Sequence, residues 1–147
     1  MSWVYRDVVI EELPEGTVGY VYNITNLTNG RQYIGKKLSK FSKTKIKTIT
    51  LKNGTKKKKK IRSQVDSDWL TYYGSSVELL SDVERLGKDQ FKREILYFCT
   101  SKSACSYLEA KEQMLRNVLE SDHYYNNNVM VKVHGNHIYN KKLIIDC

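Results

Sequence analysis

Residues 17–35 read TVGYVYNITNLTNGRQYIG. β-Branched and aromatic residues are frequent at both ends of this segment, and the pair Asn29-Gly30 separates them. An Asn-Gly pair between two such runs is a strong signal for a β-hairpin, because both residues tolerate the positive φ of a tight turn. The segment therefore predicts a hairpin from about Val18 to Gly35, with tyrosines on both strands.

A second Asn-Gly pair, Asn53-Gly54, lies within the most basic part of the chain. It separates residues 45–51, in which apolar and basic side chains alternate, from residues 56–65. This pattern predicts a second hairpin, displayed on the surface rather than buried. Residues 36–66 are thus expected to form a basic hairpin insertion.

The net charge of +9 is concentrated in this insertion. Residues 36–62 contain twelve lysines, one arginine and no carboxylate, which gives a charge of +13. The rest of the chain has 12 basic and 16 acidic residues, a net charge of −4. Clustered cations displace counterions from phosphates, so the pattern predicts a polyanion binder. A solvated lysine tract without a partner is the alternative.

Downstream of the insertion, apolar residues recur at helical spacing. The first stripe ends at Gly87, where a left-handed C-cap would lie, and consists of Val77, Leu79, Leu80, Val83 and Leu86. Residues 91–98 have the composition of a strand. Residues 103–119 predict a second helix, with Ser101 or Ser103 as N-cap and an apolar face of Ala104, Leu108, Leu115, Val118 and Leu119.

The two ends of the chain have weaker patterns. Residues 3–10 resemble one strand, and we expect the body of the fold to begin after Pro14. Residues 123–147 are predicted as a C-terminal extension that alternates weakly at 129–133 and 143–145. Together, the elements predict one α/β domain of the α+β type over residues 1–147, with a small, mainly antiparallel sheet flanked by helices.

The sequence also argues against several classes of protein. No apolar run approaches the ~20 residues of a membrane span, so no membrane partner is expected. The first residues show no apolar run behind a basic start, which predicts neither a secretory signal nor a transit peptide, and hence a cytoplasmic location. Cys99, Cys105 and Cys147 lack Cys-x-x-Cys spacing and are expected to be reduced thiols.

Two triplets in the first hairpin, YVY at residues 20–22 and YIG at residues 33–35, resemble the half-motifs that name the GIY-YIG nuclease family. The order of later segments is similar too: a helix, a glycine, a third strand, a glutamate-bearing helix and the pair YN at residues 125–126. The resemblance covers roughly residues 18–128. One departure is the tyrosine at the first position of the first triplet, because Gly19 lies one place earlier.

This resemblance implies a divalent-metal-dependent DNA endonuclease that hydrolyses phosphodiester bonds with Mg²⁺ or Mn²⁺ and leaves 5′-phosphate and 3′-hydroxyl ends. Its expected partner is double-stranded DNA. Small phage-type homing endonucleases look most similar, which would place the protein in the host cell cytoplasm, while restriction, repair and junction-resolving enzymes share the core. A non-catalytic nucleic-acid-binding module is the alternative from another class. Neither the target sequence nor the oligomeric state is predicted.

The resemblance also implies roles for individual residues. Tyr22 corresponds to the general base or water-orienting phenol, and Tyr33 assists it. Lys36 contacts the phosphate or the water, with Lys37, Lys40 and Lys43 as alternatives, and a role of all four in binding the DNA backbone alone is equally open. Glu109, at the family's interval after the third strand, corresponds to the metal ligand, with Glu112 as the alternative. These residue types suit phosphodiester hydrolysis, which needs a carboxylate for a cation, a phenol near the water and a positive charge over the phosphate.

Three further residues complete the predicted catalytic set. Tyr72 corresponds to a histidine or tyrosine near the leaving group, and Asn126 belongs to the Tyr-Asn pair. Relatives have an arginine one turn before Tyr72, where this chain has Asp68 or a neighbour, so its role is assigned to Arg62 or a hairpin lysine. The predicted DNA-binding residues are lysines of the basic segment: Lys37, Lys40, Lys43, Lys45, Lys47, Lys56, Lys57, Lys58, Lys59 and Lys60.

Overall fold

The computed structural model describes residues 1–146, without the side chains of residues 41–45 and 62–65. Its strands and α-helices are β1 (Trp3–Tyr5), β2 (Val8–Val9), β3 (Gly19–Asn26), β4 (Gln32–Leu38), β5 (Lys40–Thr50), β6 (Lys56–Asp66), α1 (Val77–Leu86), β7 (Phe91–Cys99) and α2 (Lys102–Leu115). Five strands form one sheet in the order β2-β1-β7-β3-β4, in which only β1 and β7 are parallel neighbours. The predicted α+β class with a mainly antiparallel sheet is confirmed.

The first hairpin forms as predicted but is longer. Its turn contains Gly30 at a φ of 77°, and the two strands pair from Thr25 opposite Gln32 to Gly19 opposite Leu38. Strand β4 therefore continues past the YIG triplet. Lys36 lies within the strand and not after a turn, because main-chain pairing with β3 continues to Leu38.

The N-terminal segment is a hairpin and not one strand. Arg6 and Asp7 both have positive φ, 48° and 65°, and the two-residue turn folds β2 back onto β1. β1 in turn pairs with β7, and Trp3 is buried in the core. The expectation that the body of the fold begins after Pro14 is therefore wrong, since β1 is part of the main sheet.

Helices α1 and α2 pack on opposite faces of the sheet. Successive strand residues face opposite sides, and the buried side chains of β3 divide accordingly. One core cluster combines alternate β3 residues with α1, and includes Tyr20, Tyr22, Ile24, Leu79 and Val83. The other combines the intervening β3 residue with α2, and includes Val21, Ile34, Ala104, Cys105 and Leu108.

Helix α1 has the predicted bounds, and both of its caps are present. The Ser76 hydroxyl accepts a hydrogen bond from the amide of Leu79 at 3.3 Å. Gly87 ends the helix at a φ of 93°, a backbone conformation that favours glycine. Helix α2 is capped by Ser101, whose hydroxyl accepts a hydrogen bond from the amide of Ala104 at 3.0 Å.

The C-terminal end of α2 differs from the prediction. The helix ends at Leu115, and Asn117 adopts a left-handed conformation with a φ of 52°. A short 3-10 turn, Val118–Glu120, then buries Val118. Because the chain leaves the helical path here, Leu115 and Leu119 are 68% and 53% exposed and do not belong to the packed face.

The basic hairpin, here called the basic arm (residues 40–66), forms a separate two-stranded sheet. Its strands pair from Lys40 opposite Asp66 to Thr50 opposite Lys56, so the first strand begins earlier than predicted. Its base is held by Ser67, which donates backbone and hydroxyl hydrogen bonds to the carbonyls of Ser39 and Leu38. Side chains 46–61 are mostly exposed, as expected for a displayed hairpin.

The C-terminal extension makes little regular structure in the described residues. The strand-like patterns at 129–133 and 143–145 yield a single bridge, between Cys99 and Ile144. Cys99 and Cys105 are buried free thiols, and Cys147 lies outside the described residues. Up to residue 146, no helix has the length and apolar character that a bilayer crossing requires.

Candidate active site

Gly35 gives Tyr22 room at the edge of the sheet. Tyr22 lies on β3 and pairs directly with Gly35 on the edge strand β4. A Cβ at position 35 would collide with the hydroxyl and ring of Tyr22 and approach the ring of Tyr33 at 2.9 Å. The glycine therefore leaves the space in which the Tyr22 phenol lies over β4.

The alanine substitution Gly35→Ala tests this close approach. We expect it to lower the free energy of unfolding by about 1–3 kcal/mol, because a core side chain must shift to admit the methyl group. Gly135→Ala is the matched control, since nothing lies within 4 Å of a Cβ there. Urea denaturation of both variants provides the measurement, and equal stability of the two would contradict the account.

Tyr22 is surrounded by aromatic rings on the α1 face. Its ring centroid lies 6.1 Å from that of Tyr33 and 5.9 Å from that of Tyr72. The two motif tyrosines are diagonal neighbours, because Tyr33 pairs with Ile24 and not with Tyr22. The Tyr22 hydroxyl is buried and forms no hydrogen bond of full geometry to a described atom, although the Tyr72 side chain is close enough to act on it as a hydrogen-bonding neighbour. Burial above all, and then the neighbouring phenols of Tyr72 and Tyr33, raise its pKa well above the ordinary value.

Tyr33 lies between the ring of Tyr22 and a cleft at the start of α1. Its hydroxyl lies 3.0 Å from the hydroxyl of Ser75, beside a cleft of about 590 Å³ at the start of α1. Burial raises the pKa of Tyr33, the Ser75 hydrogen bond lowers it, and the negative charge of Glu109 raises it further. Tyr33 therefore interacts electrostatically with a carboxylate on helix α2.

Lys36 and Glu109 lie together on the α2 side of β4. The Lys36 ammonium donates a hydrogen bond to Ser106 on α2 at 2.5 Å. Glu109 lies three residues after Ser106 and is partly buried. Burial raises the pKa of Glu109, whereas the positive charge and the backbone amide of Lys36 lower it. No ion pair between described side chains includes Glu109, so its carboxylate could hold a cation.

Glu112 has different neighbours from Glu109. Its carboxylate accepts a 2.5 Å hydrogen bond from the hydroxyl of Tyr97 and a 3.0 Å hydrogen bond from Arg116. The Glu112 carboxylate raises the pKa of Tyr97 to about 12. The two glutamates are three residues apart on one helix, but Glu112 bonds to one residue of β7, Tyr97, and to one residue at the end of α2, Arg116.

Tyr72 lies below a lysine from β4. The Lys37 ammonium is 4.1 Å from the centroid of the Tyr72 ring and 2.6 Å from the carboxylate of Asp68. The hydrogen bond from Lys37 lowers the pKa of Asp68. The position where relatives have an arginine is thus occupied by Asp68, whose carboxylate is paired with Lys37 beside Tyr72.

Arg93 supports this cluster, and the sequence analysis missed it. Its buried guanidinium donates hydrogen bonds to the carbonyls of Tyr72 at 2.8 Å, Leu70 at 3.1 Å and Met1. It also lies 4.1 Å from the centroid of the Tyr73 ring. The signal was present, because Arg93 occupies a core-facing position of a strand with alternating burial.

Asn126 and Gln113 hold the edge strand. The Asn126 side chain accepts from the amide of Ile34 at 3.0 Å and donates to its carbonyl at 2.8 Å. Gln113, which the sequence analysis did not single out, donates to the same carbonyl at 3.1 Å. Both functional groups of Asn126 thus contact the backbone of the YIG triplet, so the structure supports a positioning role for it.

The remaining predicted residues lie in the basic arm. Lys40 is exposed at its base, and the other described lysines are exposed further along it: Lys47, Lys56, Lys57, Lys58, Lys59 and Lys60. The side chains of Lys43, Lys45 and Arg62 lie outside the described residues. The structure therefore brings together Tyr22, Tyr33, Tyr72, Lys36, Lys37 and Glu109 around β4 and extends the arm from the end of the same strand.

Comparison with protein families gives one finding. The family model described as "Putative endonuclease segE, GIY-YIG domain" matches residues 3–129. Searches of curated proteins and of solved structures returned no match. The matched range includes β1 and every residue of the site described above.

Proposed function

This chain belongs to the GIY-YIG nuclease family, and from that premise we propose that it is a metal-dependent endonuclease acting on double-stranded DNA. The observation that carries the proposal is the arrangement around β4. The buried phenol of Tyr22 lies over Gly35, while Lys36 and the carboxylate of Glu109 lie on the other face of the same strand.

Glu109 is the proposed metal ligand. No cluster of three or more His, Cys, Asp or Glu side chains suited to a metal occurs in the described part of the chain. A single partly buried carboxylate fits Mg²⁺ or Mn²⁺, because hard ions of this kind retain most of their waters and need one or two protein carboxylates. When bound, the ion would stabilise negative charge on the phosphate and on the leaving oxygen.

Tyr22 is proposed to orient the attacking water as a neutral phenol. Its raised pKa disfavours a phenolate at neutral pH, which argues against general-base action by the phenol alone. A buried hydroxyl without a partner can instead form a hydrogen bond with a water that enters the site. Tyr33, fixed by Ser75, is proposed to keep Tyr22 in place and to contact the same water.

Two lysines are proposed to neutralise the phosphate from opposite faces of β4. Lys36 lies beside Glu109, and Lys37 lies over Tyr72. Positive charge fixed in advance near the scissile group stabilises the charge that develops in the transition state. We assign to Lys37 the task of the missing family arginine, with Arg62 as the second candidate, and place Tyr72 near the leaving oxygen.

The biological role is proposed from the resemblance of the motifs. The family description names an endonuclease, and the resemblance of the motifs extends the proposal to an enzyme of the phage homing type that acts in the host cytoplasm. Restriction, repair and junction-resolving enzymes are the alternatives that share the same core.

A plasmid assay tests the proposed activity. With Mg²⁺ or Mn²⁺, supercoiled plasmid is expected to become nicked or linear, with 5′-phosphate ends that DNA ligase can rejoin. With EDTA, the plasmid is expected to stay intact, because Glu109 then has no ion to hold. A non-catalytic binding module would retard DNA in a gel under both conditions without cutting it, and that result would overturn the proposal.

A further inference from the structure

The basic arm carries lysines on both of its faces. In an antiparallel ladder, directly paired residues lie on the same face and neighbouring pairs on opposite faces. The observed register places Lys47, Lys57 and Lys59 on one face of the described part of the arm. It places Lys56, Lys58 and Lys60 on the other face.

These six lysines are all exposed, with three on each face of the described part of the arm. A ribbon that lies flat on one phosphate surface uses the cations of one face. The cations of its other face would be separated from that surface by the thickness of the ribbon, about one Debye length away, and would be largely screened. A ribbon between two phosphate strands uses both faces.

We propose that the basic arm inserts into the major groove of B-form DNA, with each face directed to one phosphate strand, a proposal that rests on the proposed function. The major groove admits a two-stranded β-ribbon, whereas the minor groove, about 6 Å wide, is too narrow. Strands of 11 residues span about 36 Å.

The energetics of the arm support an anionic partner. Lys47 and Lys59 are directly opposite each other, and like charges at such positions destabilise a sheet. The described part of the arm also has exposed apolar side chains, with Ile46 66% exposed. A lone hairpin of this kind is marginally stable in water. Phosphates on both sides would remove the charge repulsion and order the arm.

Two matched triple substitutions test the two-faced contact. One variant carries Lys47, Lys57 and Lys59→Gln, and the other carries Lys56, Lys58 and Lys60→Gln. Binding to a mixed-sequence duplex in EDTA is measured over a range of salt concentrations. Each variant is expected to flatten the slope of log affinity against log salt by up to about 2.7, at about 0.9 per lost phosphate contact.

A third variant, with Lys132, Lys141 and Lys142→Gln, makes the same charge change in the C-terminal extension and is expected to leave the slope unchanged. A loss confined to one face of the arm would overturn the two-faced contact. An equal loss in all three variants would overturn the assignment to the arm. Because EDTA prevents metal-dependent cleavage, these outcomes are independent of whether the proposed nuclease activity is found.

Dimethyl sulfate footprinting identifies the groove. The reagent methylates N7 of guanine in the major groove and N3 of adenine in the minor groove. Wild-type protein is expected to protect guanine N7, and either triple substitution in the arm is expected to remove that protection. Protection of adenine N3 alone, or equal affinity for double-stranded RNA, whose major groove is deep and narrow, would contradict major-groove insertion.

Discussion

Glu109→Gln is expected to lower the rate of DNA cleavage by about two orders of magnitude or more, with DNA binding in EDTA unchanged. The substitution keeps the size of the side chain but removes the negative charge with which it would hold a divalent ion. In the folded protein, burial raises the pKa of this carboxylate and the positive charge of Lys36 lowers it. Single-turnover cleavage at saturating DNA and Mg²⁺ provides the measurement.

Glu112→Gln is the matched control on the same helix. Its carboxylate accepts hydrogen bonds from Tyr97 and Arg116. We expect this variant to lose about 1–3 kcal/mol of unfolding free energy, since charged hydrogen bonds are weakened, and to cleave at nearly the wild-type rate. The reverse pattern would transfer the metal role to Glu112, and wild-type rates in both variants would contradict a carboxylate role for this helix.

Tyr22→Phe is also expected to lower cleavage by about two orders of magnitude, because it removes the hydroxyl proposed to orient the attacking water. The ring and its contacts with Tyr33 and Tyr72 remain. The buried hydroxyl forms no hydrogen bond of full geometry to a described atom, so its removal is expected to leave the free energy of unfolding unchanged or to increase it. The cleavage rate and urea denaturation are measured on the same preparation.

Tyr20→Phe provides the control for Tyr22→Phe. Tyr20 lies on the same face of β3, and its hydroxyl lies 3.5 Å from the carbonyl of Trp69. We expect this variant to cleave at close to the parental rate. The pH dependence of cleavage gives a separate test. Burial raises the pKa of Tyr22, and even the ordinary tyrosine pKa lies about one unit above pH 9. We therefore expect no rise in the wild-type cleavage rate between pH 6 and pH 9 from ionisation of this phenol. A Tyr22→Phe enzyme of normal activity would exclude the phenol from the chemistry.

The local signals in the sequence predicted much of the fold. Asn29-Gly30 and Asn53-Gly54 marked two hairpins, although in the structure only the glycine of each pair has the positive φ that such turns favour. The N-terminal turn at Arg6 and Asp7 uses positive φ at residues that do not signal it, so it was missed. The end of α2 depends on Asn117 and on the burial of Val118 against the sheet, which is a tertiary effect.

The candidate site was predicted less completely, since spacing along a helix does not identify the partners of a side chain. Glu109 and Glu112 were alternatives in the sequence, and only the packing of α2 against β4 and β7 distinguishes their neighbours. Lys37 was predicted to bind DNA as one of many lysines. Its contact with Tyr72 and Asp68 depends on the position of the short 3-10 helix Trp69–Thr71, which follows the basic arm and has these two residues as its caps.

A double-substitution experiment tests most directly whether Tyr22 and Glu109, on opposite faces of the sheet, act in one active site across β4. Single-turnover cleavage is measured for Tyr22→Phe, Glu109→Gln and the combined variant. Residues that act as a unit show strongly non-additive effects. We predict that the combined variant cleaves about as slowly as the slower single variant. A rate reduced by the product of the two single effects would contradict a shared active site.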